Sequence, residues 1–296
     1  RVMKGKLRGS LPAYLFIAPQ IVGFLLFVLG PTVAVLLFSL QSRNLLTGQT
    51  VFVGLENYRT LFTADPLFGK TLLNSLVFTL GLVPTNMVLA LALALVLAKH
   101  IRGAGLFRTI FFAPVVTSAV AWAIVWKFLL QGDAGLVNQY LALIGIDGPN
   151  WLREPSWAMV SVIFTRVFKN LGMNLVLYLA AITNLPEDLI EAARIDGASG
   201  LQILRRIKIP LLWPTTLMIS VLTVIGSLKV FDHIMLLTAG GPANSTMVMV
   251  YYIYYQGFQF FETGYASALA VILFVLVLIL TLGQWRMRTR LSHYES

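Results

Sequence analysis

Six long apolar runs dominate the chain, near residues 12–40, 71–98, 107–131, 157–183, 209–238 and 265–286. Each is near or above the roughly 20 residues that a helix needs to cross a hydrocarbon core. Polar and charged residues gather between the runs. The pattern predicts an all-α membrane protein with six transmembrane helices, forming one transmembrane domain over residues 1–296. Pro19 and Pro31 fall inside the first run and Pro84 inside the second, where each removes a backbone donor and predicts a kink. The first run is long enough to span and lacks a small-residue cleavage site, so it reads as a retained helix.

Residues 186–210 break this pattern, forming the most charged stretch of an apolar chain. Pro186 suits a first helical position, and Glu187 and Asp188 suit the positive end of a helix dipole. Leu185, Leu189 and Ala193 recur at helical spacing, while Glu187, Glu191 and Arg194 fall on another face. Asp196-Gly197 and Gly200 turn the chain. Leu201, Leu204, Ile207 and Leu211 restart a stripe, and Pro210 either ends that helix or kinks it into the next span. One reading is an amphipathic connector on the membrane surface. It leaves Ala192-Ala193 and the Asp-Gly break without a reason. A small charged helix–turn–helix is also well shaped to enter a groove on a soluble partner.

Composition narrows the class. Of 296 residues, 58% are hydrophobic and 11% charged, too apolar for an ordinary soluble domain. There is no cysteine, hence no disulfide and no thiolate site. The net charge of +10 does not point to nucleic acid, because the basic residues flank apolar runs instead of forming a stripe with interleaved aromatics. They report orientation. Arg1, Lys4, Lys6 and Arg8, then Lys99, Arg102 and Arg108, then Arg194, Arg205, Arg206 and Lys208, then Arg286, Arg288 and Arg290 lie on one side. Only Arg43, Arg59, Lys70 and Arg153 lie on the other. The fourteen-to-four bias places both termini and the Glu191 segment in the cytoplasm.

On the outer side, Gly54-Leu55-Glu56-Asn57-Tyr58 suggests a short interfacial helix, and Trp151 and Trp157 suit an aromatic belt. Gly240-Gly241-Pro242 predicts a sharp turn. The cluster of Tyr251, Tyr252, Tyr254, Tyr255, Phe258, Phe260 and Phe261 then reads as an interfacial helix in preference to a sugar-stacking platform. Asn244-Ser245-Thr246 matches a glycosylation acceptor by chance.

An enzyme needs a site. The chain has no Gly-Lys-Ser/Thr phosphate loop and no His-Glu-x-x-His. His100, His233 and His293 are scattered, and Asp232 stands without a second acid. No catalytic, cofactor or metal residues are therefore assigned. The spans do hold costly groups. Arg166, Lys169, Asn170, Met173 and Asn174 share one face of the fourth run. Gly226, Lys229 and His233 cluster on the fifth, with Ser227 and Asp232 beside them. Lys127 lies near a span end and snorkels. Two readings stand together. In one, Lys229 and Asp232 pair at three-residue spacing and the amides join helices. In the other, Asn170, Asn174 and Ser227 meet solute hydroxyls near the midplane, while Arg166, Lys169, Lys229 and Asp232 keep the path polar.

Glu191-Ala192-Ala193, Asp196-Gly197-Ala198, Ile207 and Pro210 resemble the EAA loop of ABC-importer permeases, with Leu204 where that family usually has Phe. Phe52 to Tyr58, Gly105-Leu106-Phe107-Arg108, and Gly240-Gly241-Pro242 with Ser245-Thr246 are similar to the carbohydrate-type permeases of maltose and glycerol-3-phosphate systems. The resemblance implies a permease of maltose-permease-like architecture in the cell inner membrane, carrying a sugar or sugar-like solute by alternating access. Its implied partners are a second, related permease, two ATPases that bind ATP and Mg, and an external solute-binding protein that meets the aromatic region. It also implies that Glu191, Ala192, Ala193, Asp196 and Gly197 engage an ATPase, and that the solute passes the fourth and fifth spans. The rivals are an ion-gradient secondary transporter and an intramembrane enzyme.

Overall fold

The computed structural model describes residues 3–99 and 103–291, with side chains from residue 14 to residue 286. Arg1, His100, Arg102 and His293 lie outside the described residues, as do the side chains of Lys4, Lys6, Arg8, Arg288 and Arg290. In chain order the elements are α1 (Met3–Phe24), α2 (Gly30–Phe38), β1 (Gln41–Arg43), β2 (Thr50–Phe52), α3 (Glu56–Thr63), α4 (Pro66–Leu97), α5 (Ala104–Val116), α6 (Ala119–Leu129), α7 (Leu136–Leu143), α8 (Pro155–Thr183), α9 (Glu187–Ile195), α10 (Gly200–Ile203), α11 (Ile209–Leu228), α12 (Asp232–Leu237), α13 (Met249–Tyr254) and α14 (Thr263–Leu291). Five helical stretches are long and apolar enough to cross a membrane: Tyr14–Phe38, Pro66–Leu97, Pro155–Thr183, Gly200–Leu228 and Thr263–Arg286. The bent pair α5 and α6, counted as one broken span, makes up to six.

Three spans depart from the expected runs. The third is not one rod: α5 and α6 meet at an angle of 104°. Pro114 removes a donor near the end of α5, and Ser118 caps α6 by accepting the Ala121 amide at 3.1 Å. The fifth ends at Leu228 instead of continuing to 238, because the chain breaks at Lys229–Phe231 before α12. The second begins at Pro66, five residues before the apolar run does, and passes Pro84 without leaving the helix. Pro31 and Pro210 each stand just after a π-helical turn, Leu25–Leu29 and Leu204–Lys208. In both, the residue before the proline donates five back, Gly30 to Leu25 and Ile209 to Leu204. The wide turn precedes the donorless residue without ending the helix. α1 continues through Pro19.

The chain divides into two compact units. One comprises residues 1–65 and 253–274. There the β1–β2 hairpin, which the hydropathy pattern does not announce, is tied to α3: the Asn57 amide donates to the Ser39 and Gln41 carbonyls at 2.8 and 2.9 Å, and the Tyr58 hydroxyl donates to Ser39 Oγ at 2.7 Å. Asn57 and Tyr58 thus serve the local fold. Asn44 donates to Glu262 Oε1 at 2.8 Å, and Thr263 Oγ1 to the Arg43 carbonyl at 3.1 Å.

The other unit comprises residues 66–252 and 275–296. Its core packs α4, α8 and α11 through Ala90, Ala94, Leu171, Leu175, Tyr178, Leu212 and Ile219. Ala90 and Ala94 put almost no side chain between the helices and allow close approach. Tyr251 and Tyr252 are buried here, which corrects their expected place on an interfacial helix: they belong to the core. The loop after Gly240, whose φ is +79°, docks on α4. Lys70 Nζ donates to the Ala243 carbonyl at 2.6 Å, Asn74 Nδ2 to Asn244 and Met247 carbonyls at 3.0 and 2.9 Å, and the Met249 amide to Ser75 Oγ at 2.9 Å. Thr246 is fully buried in that loop, consistent with a chance Asn-Ser-Thr match.

Candidate functional site

Two places collect the polar groups singled out in the sequence, the 186–210 segment and the polar face of α8 with the elements it meets. In the first, Pro186 is the N-cap of α9 and not its first helical residue, with Glu187 and Asp188 in the opening turn. The helix ends in a Schellman turn. The Ala198 amide donates to the Ala193 carbonyl at 2.9 Å and the Gly197 amide to Arg194 at 3.0 Å. Gly197 sits at φ +79°, where a side chain is strained, so the Asp-Gly break has a backbone cause. Ser199 then opens α10 with a capping box closed by Gln202.

The apolar stripe differs from the one read from spacing. Leu189, Leu201 and Leu211 are exposed, and Ile203 and Leu212 are buried instead. The π turn at 204–208 adds a residue between Ile203 and Leu212 and shifts the face beyond it, from Leu211 to Leu212. Glu191, Ala192, Asp196 and Gly197 are exposed and Ala193 is half-buried. Ile195 is 86% exposed, the greatest exposure of any large apolar residue in this segment, and the sequence reading did not single it out.

On α8 the polar face is engaged on three sides. Lys169 Nζ donates to the Pro114 and Thr117 carbonyls at 3.1 and 2.7 Å. These carbonyls lie at the C-terminal end of α5, where they lack helical partners and carry the negative end of the dipole. The same ammonium lies 5.6 Å from the Trp122 ring, and Trp122 Nε1 donates to the Thr165 carbonyl at 3.2 Å. Lys169 therefore fastens the break in the third span to α8. Gly172 helps, because a Cβ there would run into the Phe111 carbonyl and stand 2.8 Å from Phe112 Cα.

Arg166 faces α12. Its Nη1 is 3.5 Å from Asp232 Oδ1 and 3.3 Å from His233 Nδ1. Asp232 also accepts the His233 amide at 2.9 Å. The expected Lys229–Asp232 pair does not form. The chain breaks between them, so the helical three-residue spacing is lost, Asp232 turns to Arg166, and Lys229 is exposed. Arg166 Nε and His233 Nε2 are buried without a partner among the described residues.

The third side joins helices. Asn174 Nδ2 donates to Asn86 Oδ1 at 2.6 Å and to Thr223 Oγ1 at 3.1 Å, and Asn86 Nδ2 donates to the Val167 carbonyl at 3.0 Å. Ser227 Oγ donates to Thr79 Oγ1 at 3.0 Å. Both Asn174 and Ser227 are buried in these links between α4, α8 and α11. Asn170 is half-buried with its amide unpaired among the described residues. Sequence reasoning missed Asn86, Thr79, Thr223 and Trp122. Asn86, a lone amide in an apolar run, carried the clearest signal. No group of three or more potential metal ligands occurs among the described residues.

Comparison with known proteins agrees with this architecture. A family model described as binding-protein-dependent transport system inner membrane component matches residues 86–292. The lactose transport system permease protein of Rhizobium radiobacter is 36% identical over 291 residues, covering 94% of this chain and 96% of that protein. The sn-glycerol-3-phosphate transport system permease protein of Pectobacterium atrosepticum is 30% identical over 289 residues, covering 97% of each. The crystal structure of a bacterial ABC transporter involved in the import of the acidic polysaccharide alginate matches with a TM-score of 0.86 and 25% identity, over 98% of this chain and 99% of that one. A helical chain with five to six candidate spans, matched over most of its length, belongs to the family of inner-membrane permease components of binding-protein-dependent ABC importers.

Proposed function

We propose that this permease carries a sugar or sugar-like solute, received from an external solute-binding protein, and that partner ATPases drive it through α9. The observation that carries the coupling is the exposure of α9 and its turn. A helix carrying Glu191 on its open face and ending at an apolar, 86% exposed Ile195 is poised for a groove in a soluble partner. The solute class is supported by the relatives: lactose, arabinooligosaccharide and glycerol-3-phosphate permeases are named among them. All are hydroxyl-rich. In this reading ATP and Mg are held by two ATPase subunits, this chain has no ATPase site, a second permease completes the path, and both termini are cytoplasmic. Glu191, Ala192, Ala193, Asp196 and Gly197 form the ATPase contact.

For the path we assign solute contact to Asn170, Lys229 and Asp232, whose polar groups are accessible in part. Arg166 and Lys169 position the surrounding elements, and Asn174 and Ser227 hold helices together. The test is coupled ATP hydrolysis in the assembled transporter. Glu191→Lys and Gly197→Trp are expected to leave the permease inserted and to abolish solute-stimulated hydrolysis, since losing a buried charged contact costs about 2–5 kcal/mol. Wild-type coupling in Gly197→Trp would refute the assignment.

A further inference from the structure

A cavity of about 440 Å³ opens between the C-terminal end of α4 and the α9–α10 segment. Its walls include Leu95, Val96 and Ile203, and three cations line it: Lys99, Arg194 and Lys208. Among the described residues no carboxylate lines it. Glu187, Asp188 and Glu191 belong to the same segment yet contribute nothing to this space, and Asp196 lines a separate hollow beside it. None of the three cations is in an ion pair among the described residues.

Lys99 and Arg194 are exposed and Lys208 is half-buried, so solvent screens their mutual repulsion and leaves all three within reach of an anion from outside. An anion with several oxygens can meet more than one of these cations. The guanidinium of Arg194 presents a planar fork suited to two oxygens of one phosphate, and the two ammonium groups serve as point charges for the rest. The apolar side of the cavity continues onto the surface of α4, where Val96 is exposed. A phosphate with a hydrocarbon body would therefore find both its halves matched.

We propose that this cavity is a binding site for a phosphate-bearing anion, which ties the end of α4 to α9 and α10. The phosphate can belong to a phospholipid headgroup or be free. That an occupied site stiffens the coupling segment rests on the proposed function above; the binding does not.

The experiment uses the full chain purified with its partner subunits. Its melting temperature is followed in detergent with and without inorganic phosphate, and in nanodiscs of phosphatidylcholine with and without phosphatidylglycerol. The wild type is expected to melt higher with at least one probe. A shift with phosphatidylglycerol alone identifies a lipid headgroup, and a shift with inorganic phosphate alone identifies a free anion. Lys99→Gln and Lys208→Gln are each expected to weaken the response about tenfold in ligand concentration, the worth of one charge-assisted hydrogen bond. Among the described residues neither side chain makes a hydrogen bond, so both variants should fold. Arg153→Gln removes the same charge outside this cavity and is expected to respond like wild type. No shift with either probe would overturn the proposal, as would equal responses from all three variants. Failure of the coupling reading would appear in Glu191→Lys and leave these shifts intact.

Discussion

Lys169 shows how one residue changes meaning when its neighbours are known. In the sequence it is a cation in an apolar run, and a place on a polar path is the economical reading. In the structure its ammonium is committed to two carbonyls at the end of α5 and to the face of Trp122. Lys169→Met keeps the length and removes these bonds. It should lower the melting temperature by an amount corresponding to about 1.5–3 kcal/mol per lost charged hydrogen bond. A pure solute contact would leave melting unchanged and depress transport alone. Asn174→Leu should likewise destabilise, by about 0.6–1.7 kcal/mol, because it strands Asn86 Oδ1 and removes the bond to Thr223 Oγ1, which keeps only its own donation to the Ile219 carbonyl. The polar residues were legible as exceptions to the apolar pattern. Their partners were not, because a helix face says which residues look outward and not which carbonyl awaits them.

Among the elements, the long runs and the turn at Asp196-Gly197 were legible, for periodicity and glycine placement are local properties. The break in the third span was not. Hydropathy continues across Thr117 and Ser118, and only Pro114 followed by a capping serine hints that the helix stops and restarts. The early end of the fifth span escaped for the same reason, since Val230 and Phe231 are apolar although the backbone has left the helix. The packing of α5 on α8 gives the break its second support. Gly172→Ala should force the two backbones apart, costing about 1–3 kcal/mol, and thermal denaturation of the purified permease measures it. Near-wild-type melting would mean that α5 is free to shift.

For the whole molecule, orientation was inferred from charge bias alone, and it can be checked without a background signal because the chain contains no cysteine. Ser245 is a poor reporter position, since its hydroxyl is buried. Ser156, at the exposed start of α8, and Ile195, on the open tip of α9, are better. A membrane-impermeant thiol reagent added outside intact cells is expected to label Ser156→Cys and to spare Ile195→Cys. The opposite pattern would invert the topology and with it the ATPase contact. The division into two compact units was hidden from the sequence, because residues 253–274 rejoin the N-terminal unit from the far end of the chain.

Arg166 and Lys169 sit about 4.5 Å apart along the axis of α8 and about 60° apart around it. Each grips a different neighbour, one the start of α12 and the other the corner between α5 and α6. α8 is thus an axle with two pawls on nearly the same bearing. A small shift of the axle can be taken up by the two long side chains; a larger one, whether a roll or a slide, must drag the corner and α12 together or release both.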